Sequence, residues 1–173
     1  MNYPKEIETY HTIRDGSEVF IRPIKPTDEP LMGALFQSFS KETVYLRFFG
    51  FIKEMTHERL QYFVNVDYDQ RIAIVDIVKH EDIEKIIAVG RYDLDRSTNM
   101  AEIALVVQDE WQNKGIGSFL LGYLMQIAKS RGIIGFTADI LAENTRMLHL
   151  IRKMGRKLDM KRTKEVYRIS LRF

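Results

Sequence analysis

The sequence contains no cysteine, and this absence excludes several classes of site at once. Disulfide frameworks, cysteine-ligated zinc, iron–sulfur clusters and a cysteine nucleophile all require a residue that the 173-residue chain lacks. Histidine is also scarce: His11, His57, His80 and His149 form no i, i+4 pair and no cluster with carboxylates, so we expect no metal site. Any chemistry must therefore use other residue types.

The chain also lacks a large excess of charge of either sign, and it lacks long apolar runs. The 26 Lys and Arg residues against 24 Asp and Glu leave a formal net charge of +2, which is too small for a protein that binds nucleic acid through its overall field. No apolar run approaches the roughly 18 residues of a membrane-spanning helix. The first residues also lack the apolar segment of a secretory signal. We therefore expect a cytoplasmic protein with neither nucleic acid nor membrane as a partner.

Proline is rare, and sequence typical of linkers is absent. Only four prolines occur, and no stretch rich in Gly, Ser or Pro divides the chain. The hydrophobic content of 45% and charged content of 29% are those of a globular protein. At this length the sequence predicts one domain over residues 16–173, with the polar residues 1–15 as an N-terminal arm.

The apolar periodicity predicts an α+β domain in which a mixed sheet is flanked by helices. Strands are predicted within residues 17–24, 71–78, 85–92, 100–107 and 133–141, with a closing pair within 158–173. Helices are predicted within residues 27–39, 41–49, 56–64, 115–130 and 144–154. The segment 100–107 is apolar on both faces and is predicted to be central, so the fold contains one central strand–helix–strand crossover.

The most specific local signal lies between that central strand and the long helix, in the sequence Gln112-Asn113-Lys114-Gly115-Ile116-Gly117-Ser118. Gly115 and Gly117 allow the backbone to turn tightly and to approach a ligand closely. Unpaired N–H groups at a helix start, together with the positive end of the helix dipole, predict an anion site suited to a pyrophosphate. Lys114 adds a positive charge beside it. A strand-to-helix turn with glycine for steric reasons alone is the alternative.

Two common nucleotide motifs do not fit this turn. Gly117 is followed by Ser118-Phe119, whereas a P-loop has Lys and then Ser or Thr at these positions. Leu120 stands where a dinucleotide-binding motif has its third glycine. The phosphate-bearing ligand is therefore expected to be neither ATP nor NAD.

Several motifs together resemble the GCN5-related N-acetyltransferase superfamily. They are Gln112-x-x-Gly115-x-Gly117 after a strand that begins Ala101-Glu102-Ile103, Trp111 before the turn, Leu120-Leu121 in the helix, and Asn144 followed eleven residues later by Gly155. Residues 22–24, 45–49, 111–117 and 143–148 resemble more narrowly the acetyltransferase domain of bacterial and archaeal protein lysine acetyltransferases. The resemblance extends from about Val19 to Leu171. That domain is often fused to an acyl-CoA synthetase-like or regulatory domain, for which we expect this chain to be too short.

The resemblance implies acetyl-CoA as the co-substrate and no metal. Its pyrophosphate would be held by main-chain N–H groups of the turn, Gln112, Asn113, Lys114, Gly115, Ile116, Gly117 and Ser118. The pantetheine arm would pair like an added strand with the splayed end of the central strand, at Leu105, Val106 and Val107. Asn144 would lie near the pantetheine, at the start of the following helix.

Acetyl transfer to an amine requires the neutral form of that amine. Because the pKa of a free lysine is near 10.4, its deprotonation at pH 7 costs roughly 4–5 kcal/mol, and a general base is expected. The resemblance gives this role to Glu102, and a salt-bridged strand glutamate facing solvent is the alternative. Without cysteine no acyl-cysteine intermediate can form, so direct attack in a ternary complex is expected, with the N–H near Val107 polarising the thioester carbonyl.

The general acid is not assigned by the sequence. Many relatives have a tyrosine seven residues after the asparagine, where this chain has Ile151. His149, Tyr123 and Tyr167 are unproven substitutes, and a CoA thiolate can leave without an acid.

The sequence thus favours an acetyl-CoA-dependent N-acetyltransferase that acts on a protein lysine, such as one in an acyl-CoA synthetase. Two alternatives stay open. One is a small-amine acetyltransferase acting on a polyamine, an amino acid or an aminoglycoside. The other is a non-catalytic acyl-CoA-sensing module. Neither the identity of the acceptor nor the oligomeric state is predicted.

Overall fold

The computed structural model describes residues 2–154 and 157–173, which form an eight-stranded sheet with helices on both faces. The strands are β1 (Thr9–Thr12), β2 (Glu18–Pro23), β3 (Arg71–His80), β4 (Ile83–Asp95), β5 (Met100–Val107), β6 (Gly135–Leu141), β7 (Lys157–Thr163) and β8 (Val166–Arg172). The α-helices are α1 (Glu29–Gln37), α2 (Lys41–Phe48), α3 (His57–Val64), α4 (Ile116–Ser130) and α5 (Thr145–Met154). The predicted α+β fold is confirmed. Gly155, which matches the superfamily spacing after Asn144, lies outside the described residues.

The sheet has the order β1-β2-β3-β4-β5-β6-β8-β7, and its neighbours are antiparallel except at one position. β5 and β6 run parallel and pair only from Met100–Glu102 to Gly135–Thr137. Both strands continue beyond these three pairs, β5 to Val107 and β6 to Leu141. Their C-terminal halves therefore diverge, and a gap opens near the middle of the sheet.

The sheet is covered on both faces because its central strands are apolar on both sides. In β3, Ile72 and Ile74 pack in the core under α4 and α5, whereas Ala73 and Val75 pack in the core under α1 and α3. All four side chains are fully buried. Such continuous burial is typical of a strand inside a covered sheet and agrees with the apolar run in the sequence.

Helix α4 crosses the sheet at a close approach to β4. A Cβ atom at Gly90 would lie 2.9 Å from Leu105 Cδ2 and 3.0 Å from Leu124 Cδ1, so only glycine leaves room for the helix here. The apolar periodicity predicts a stripe of Ile116, Phe119, Leu120, Tyr123, Leu124, Ile127 and Ala128, and all of these are buried except Phe119 and Tyr123, which are partly buried against the same core. This packing fixes the start of α4 beside the gap between β5 and β6. None of the helices within the described ranges is long and apolar enough to cross a membrane.

The N-terminal segment is part of the sheet, which corrects its prediction as an arm outside the domain. β1 pairs antiparallel with β2, with Thr9 opposite Ile21 and Thr12 opposite Glu18. Ile7 and Ile13, on either side of β1, are buried in the core under α4. The prediction failed because β1 is an edge strand: it pairs on one side only, and its sequence, Thr-Tyr-His-Thr, carries no apolar alternation.

Candidate active site

The gap between β5 and β6 opens into a cleft with a volume of about 1000 Å³. Its walls come from β5, the turn before α4, the start of α5, and α2. The predicted site residues that line it are Glu102, Leu105, Val106, Val107, Gln112, Asn113, Gly115, Ile116, Gly117, Ser118 and Asn144. The structure thus brings together every predicted site residue except Lys114, while the role of each stays a prediction.

The turn before α4 has the backbone that an anion site requires. Asn113 and Gly115 are left-handed, with φ of 61° and 92°. Gly115 is the N-cap residue of α4 and no side chain caps the helix. The first N–H groups of a helix have no intrahelical acceptor, so those of Ile116, Gly117 and Ser118 can donate to a ligand. They also lie at the positive end of the helix dipole.

The main chain of β5 faces the gap at alternate residues. Gln108 donates its N–H to the carbonyl of Ile87 at 2.8 Å, on the β4 side. By the alternation of an antiparallel strand, Leu105 and Val107 direct their main-chain groups away from β4, towards β6. Since β6 diverges here, these groups face the cleft. The N–H of Val107 therefore faces the cleft. Its predicted role as donor to a thioester carbonyl requires this direction.

The side chain of Gln112 joins three walls of the cleft. Its Nε2 donates to the carbonyl of Val107 at 3.0 Å and contacts Thr43 Oγ1 at 3.3 Å, and its Oε1 accepts from the guanidinium of Arg146. One amide thus links β5, α2 and α5. The sequence analysis placed only the main chain of Gln112 in the site, because Thr43 and Arg146 are 69 and 34 residues distant along the chain.

Asp109 fixes the start of α2 to the segment after β5. Its carboxylate accepts from Ser40 N at 3.0 Å, from Ser40 Oγ at 2.5 Å and from Thr43 Oγ1 at 2.9 Å. Burial acts to raise the pKa of Asp109, but the hydrogen bonds from Ser40 and Thr43 prevail and hold that pKa below its ordinary value. The carboxylate therefore stays ionised, and its negative charge stabilises the positive N-terminal end of the α2 dipole.

Asn144 lies on the opposite wall, at the start of α5. Its Oδ1 accepts from the N–H of Met147 at 3.1 Å, and its carbonyl accepts from the N–H of Leu148 at 3.1 Å. Asn144 therefore caps α5 in the manner typical of this residue type. Because its side-chain oxygen is engaged in the cap, its amide N–H groups are the donors available to a ligand.

Glu102 lies where β5 and β6 cease to pair. It is opposite Asp93 on β4 and Thr137 on β6, and its side chain is exposed in the cleft. No ion pair within the described residues involves Glu102, although neighbouring strands carry the pairs Arg71–Asp93 and Arg168–Asp139. Of the alternative interpretation, a salt-bridged strand glutamate facing solvent, the described residues therefore show the exposure but not the salt bridge, and the role of Glu102 as a base stays a prediction.

Two arginines accompany Glu102, and the sequence analysis missed both as site residues. Arg47 of α2 lines the cleft and also a smaller cavity behind it, which Arg91 of β4 lines as well. Burial and then the charge of Arg91 lower the pKa of Arg47 to about 10, against the attraction of Glu102 and Asp93. Arg91 is only 5% exposed, and its Nη2 has no partner among the described residues. No local motif marks Arg91, and the resemblance of residues 45–49 assigned no role to Arg47.

Lys114 is the predicted site residue whose side chain lies elsewhere. Its Nζ is 2.9 Å from Asp15 Oδ2 and 5.0 Å from the centre of the Trp111 ring. The cleft is lined instead by Arg14, from the turn between β1 and β2. One positive side chain beside the turn therefore comes from the segment that the sequence analysis separated from the domain.

Of the residues weighed as general acid, only His149 lines the cleft. Ile151, at the position where many relatives have a tyrosine, is fully buried, as is typical of an apolar side chain. The hydroxyl of Tyr123 donates to the carbonyl of Ile7 at 2.8 Å, and Tyr167 is not part of the lining. Over residues 2–154 and 157–173, no group of three or more His, Asp or Glu side chains is arranged to hold a metal ion.

Comparison with known proteins supports the resemblance seen in the sequence. Residues 34–155 match the acetyltransferase (GNAT) family. Acetyltransferase Pat of Mycolicibacterium smegmatis is 33% identical over 146 residues, which cover 83% of this chain and 42% of that protein. Acetyltransferase PA5475 of Pseudomonas aeruginosa is 29% identical over 145 residues, covering 83% of this chain and 77% of that protein. The match thus spans less than half of the Mycolicibacterium relative.

Solved structures agree with the sequence matches. The GNAT domain of S. lividans PAT has a TM-score of 0.88 at 27% identity and covers 99% of this chain and 100% of its own. A cAMP-binding acyltransferase from Mycobacterium smegmatis has a TM-score of 0.63 at 27% identity, over 95% of this chain and 47% of its own. With a family match over most of its length and a shared fold, the chain belongs to the GNAT family of acetyltransferases.

Proposed function

We propose that this chain transfers an acetyl group from acetyl-CoA to the side-chain amine of a protein lysine. The observation that carries the proposal is the divergence of β5 and β6 immediately after Glu102. In support of the proposal, the same cleft is lined by the start of α4 and by the Glu102 carboxylate. Membership of the acetyltransferase family supports the reaction class.

The phosphate end of the cleft fits CoA through main-chain groups. The N–H groups of Ile116, Gly117 and Ser118 would bind the pyrophosphate. Leu105 and Val107 present the edge of an unpaired strand, with which the amides of pantetheine would pair as an added strand does. The amide of Asn144 would meet the same arm from the opposite wall.

At the other end of the cleft, Glu102 would act as the general base. The lysine ammonium gives one proton to the Glu102 carboxylate, and the neutral amine attacks the thioester carbonyl carbon. The carbon–nitrogen bond forms and the carbon–sulfur bond breaks. The departing CoA thiolate takes the second proton from the nitrogen, which leaves the amide and CoA as the free thiol. The N–H of Val107 would stabilise the carbonyl oxygen as negative charge develops on it. The positive charge of Arg47 disfavours an ammonium nearby and so favours the neutral amine.

An exposed aromatic rim at the cleft supports a protein acceptor over a small amine. Phe49, which lines the cleft, is 44% exposed, and Phe51 is 76% exposed and stacked on Tyr45 with ring centres 5.4 Å apart. Adjacent exposed aromatics are typical of surfaces that contact another macromolecule. A polyamine or an amino acid would reach Glu102 without using this rim.

A labelling experiment tests the proposal against both alternatives. The chain is incubated with radiolabelled acetyl-CoA and a panel of acceptors: an acyl-CoA synthetase, histone-like proteins, polyamines, amino acids and aminoglycosides. We expect label on lysines of a protein acceptor. Label on small amines alone would exclude the protein acceptor.

Thermal unfolding with increasing CoA separates the remaining outcomes. We expect CoA to raise the melting temperature by mass action. Stabilisation by CoA without any transfer would favour an acyl-CoA-sensing module, and the absence of a shift would remove acetyl-CoA as the co-substrate.

A further inference from the structure

The turn between β1 and β2 is a compact structure with its own hydrogen bonds. Ile13 donates its N–H to the carbonyl of Ser17 at 2.9 Å, and Gly16 donates to the carbonyl of Ile13 at 3.0 Å. Asp15 Oδ1 accepts from the N–H of Ser17 at 2.9 Å. Arg14 is thus carried by a short, internally bonded hairpin turn, so its backbone is held in place.

This hairpin turn is attached directly to the turn before α4. The N–H of Arg14 donates to the carbonyl of Lys114 at 3.2 Å, and its Nη1 donates to the carbonyl of Asn113 at 3.3 Å. The ion pair between Lys114 Nζ and Asp15 Oδ2, at 2.9 Å, joins the same two segments. Two main-chain carbonyls and one ion pair therefore fix Arg14 beside residues 113–115.

The side chain of Arg14 then runs along the mouth of the cleft. A Cβ atom at Gly115 would lie 3.8 Å from both Arg14 Cγ and Arg14 Nε, so the arginine passes over the glycine at the start of α4. Arg14 is exposed and lines the cleft. The guanidinium is therefore next to the helix N–H groups proposed to bind the pyrophosphate.

The charge balance at this place leaves Arg14 for an anion. Lys114 is neutralised by Asp15, whereas Arg14 contacts carbonyls, and none of the ion pairs in the described ranges includes it. A guanidinium presents five donors in a planar fork that matches phosphate oxygens, and only one nitrogen is used here. CoA carries a pyrophosphate and a 3′-phosphate, and a guanidinium with free donors at this mouth matches either group.

We propose that Arg14, carried by the N-terminal hairpin, binds a phosphate of acyl-CoA and supplies the positive side chain that Lys114 does not. This assignment rests on the proposed function, since it takes acyl-CoA as the ligand of the cleft. It makes the β1–β2 hairpin a part of the substrate-binding site.

The test compares Arg14→Gln with the wild type in calorimetric titrations against CoA, 3′-dephospho-CoA and pantetheine. Glutamine keeps a donor for the Asn113 carbonyl and removes the charge. We expect CoA affinity to fall about 10-fold to 100-fold, as for a lost charge-assisted hydrogen bond, while pantetheine, which has no phosphate, binds equally. Equal losses for CoA and 3′-dephospho-CoA would assign the pyrophosphate, and a loss for CoA alone would assign the 3′-phosphate.

Matched controls keep the result interpretable. Arg172→Ala removes an exposed arginine at the far end of β8, outside the cleft lining, and should leave all three affinities unchanged. Unliganded Arg14→Gln should melt like the wild type. A parallel loss of pantetheine binding would show that Arg14 only shapes the cleft, and equal CoA affinity of variant and wild type would also overturn the proposal. A wild type that fails to bind CoA would instead refute the proposed function.

Discussion

The two ends of the cleft are built in different ways. At the proposed phosphate end, the candidate binding groups are main-chain N–H groups of consecutive residues, and their direction is set by the left-handed backbone of Asn113 and Gly115. At the proposed acceptor end, the groups are side chains brought together by tertiary packing, with Glu102 from β5 and Arg47 from α2 in the cleft and Arg91 of β4 in the smaller cavity behind Arg47. The first end depends on local geometry, and the second depends on the whole fold.

This difference separates the expected effects of substitutions. A change at the phosphate end should alter the affinity for CoA, because it removes contacts that persist throughout the reaction. A change at the acceptor end should alter the turnover number, because proton removal matters only when the bond forms. The Glu102 carboxylate provides the strongest test of this separation.

Glu102→Gln should lower kcat about 10²-fold to 10⁴-fold, the range usual for a lost general base. Glutamine has nearly the same shape but accepts no proton from the amine. CoA affinity, measured by titration, should stay at the wild-type value, because Glu102 lies outside the phosphate end. The measurement is the initial rate of acetyl transfer at saturating CoA and acceptor.

Glu84→Gln is the matched control, since Glu84 is an exposed glutamate beside the β3–β4 turn and does not line the cleft. Its rate should equal that of the wild type. If Glu102→Gln keeps full turnover across pH 6–9, Glu102 is not the base and the acceptor end works by positioning alone.

The same contrast explains which parts of the site could be predicted from the sequence. Gln112, Gly115 and Gly117 are close in sequence and form a recognisable motif, so the sequence alone was enough to propose a phosphate site at this turn. Arg47 lies in the segment 45–49, whose resemblance assigned it no role, and Arg91 belongs to no motif. Only the fold places Arg47 in the cleft with Glu102 and Arg91 in the cavity behind it, and the sequence analysis missed them for this reason.

The fold itself was predictable where apolar residues recur with a clear period. The stripe of α4 and the apolar runs of β3 and β5 gave the correct element types. β1 was missed because its polar sequence pairs at the edge of the sheet. The error reached the site, since the segment dismissed as an arm carries Arg14, and since Lys114 binds Asp15 instead of facing the cleft.

One buried carboxylate lies outside both ends of the cleft and should make the stability of the protein depend on pH. Asp76 of β3 is fully buried, and neither carboxylate oxygen has a partner among the described residues. Burial raises the pKa of Asp76 to about 8. Between about pH 4 and pH 8 the folded state thus holds a proton that the unfolded state has lost.

Because the folded state binds more protons in this window, the free energy of unfolding should fall as pH rises, by up to about 1.4 kcal/mol per pH unit. Asp76→Asn removes the titration and should flatten this slope and stabilise the protein at pH 8 relative to the wild type. Urea unfolding of the variant and the wild type at pH 5, 6, 7 and 8 measures the slope and the difference in stability at pH 8. Asp82→Asn, at an exposed aspartate, should keep the wild-type slope. An unchanged slope in Asp76→Asn would show that Asp76 titrates normally.

The backbone requirement at the phosphate end is tested by its two glycines. Gly115 has a φ of 92°, so Gly115→Ala should cost about 1–2 kcal/mol of stability and weaken CoA binding. At Gly117 an added Cβ would lie 3.6 Å from Leu150 Cδ2, an ordinary contact, so Gly117→Ala should not lower stability and could gain up to about 1 kcal/mol in the helix. Denaturant unfolding compares the two variants. Equal losses would contradict a requirement for left-handed backbone at Gly115 that Gly117 does not share.

The smallest expected effect concerns the ion pair behind the turn. Asp15→Asn keeps an acceptor for the N–H of Ser17 but releases Lys114 and removes a negative charge near the phosphate end. Since a single exposed charge is largely screened, CoA affinity should rise only about 2-fold to 5-fold, and the gain should shrink as salt is added. Asp159→Asn on the edge strand β7 is the control and should change nothing. A loss of affinity in Asp15→Asn would mean that the ion pair acts chiefly by holding Arg14 in place, and that the phosphate end also depends on tertiary packing.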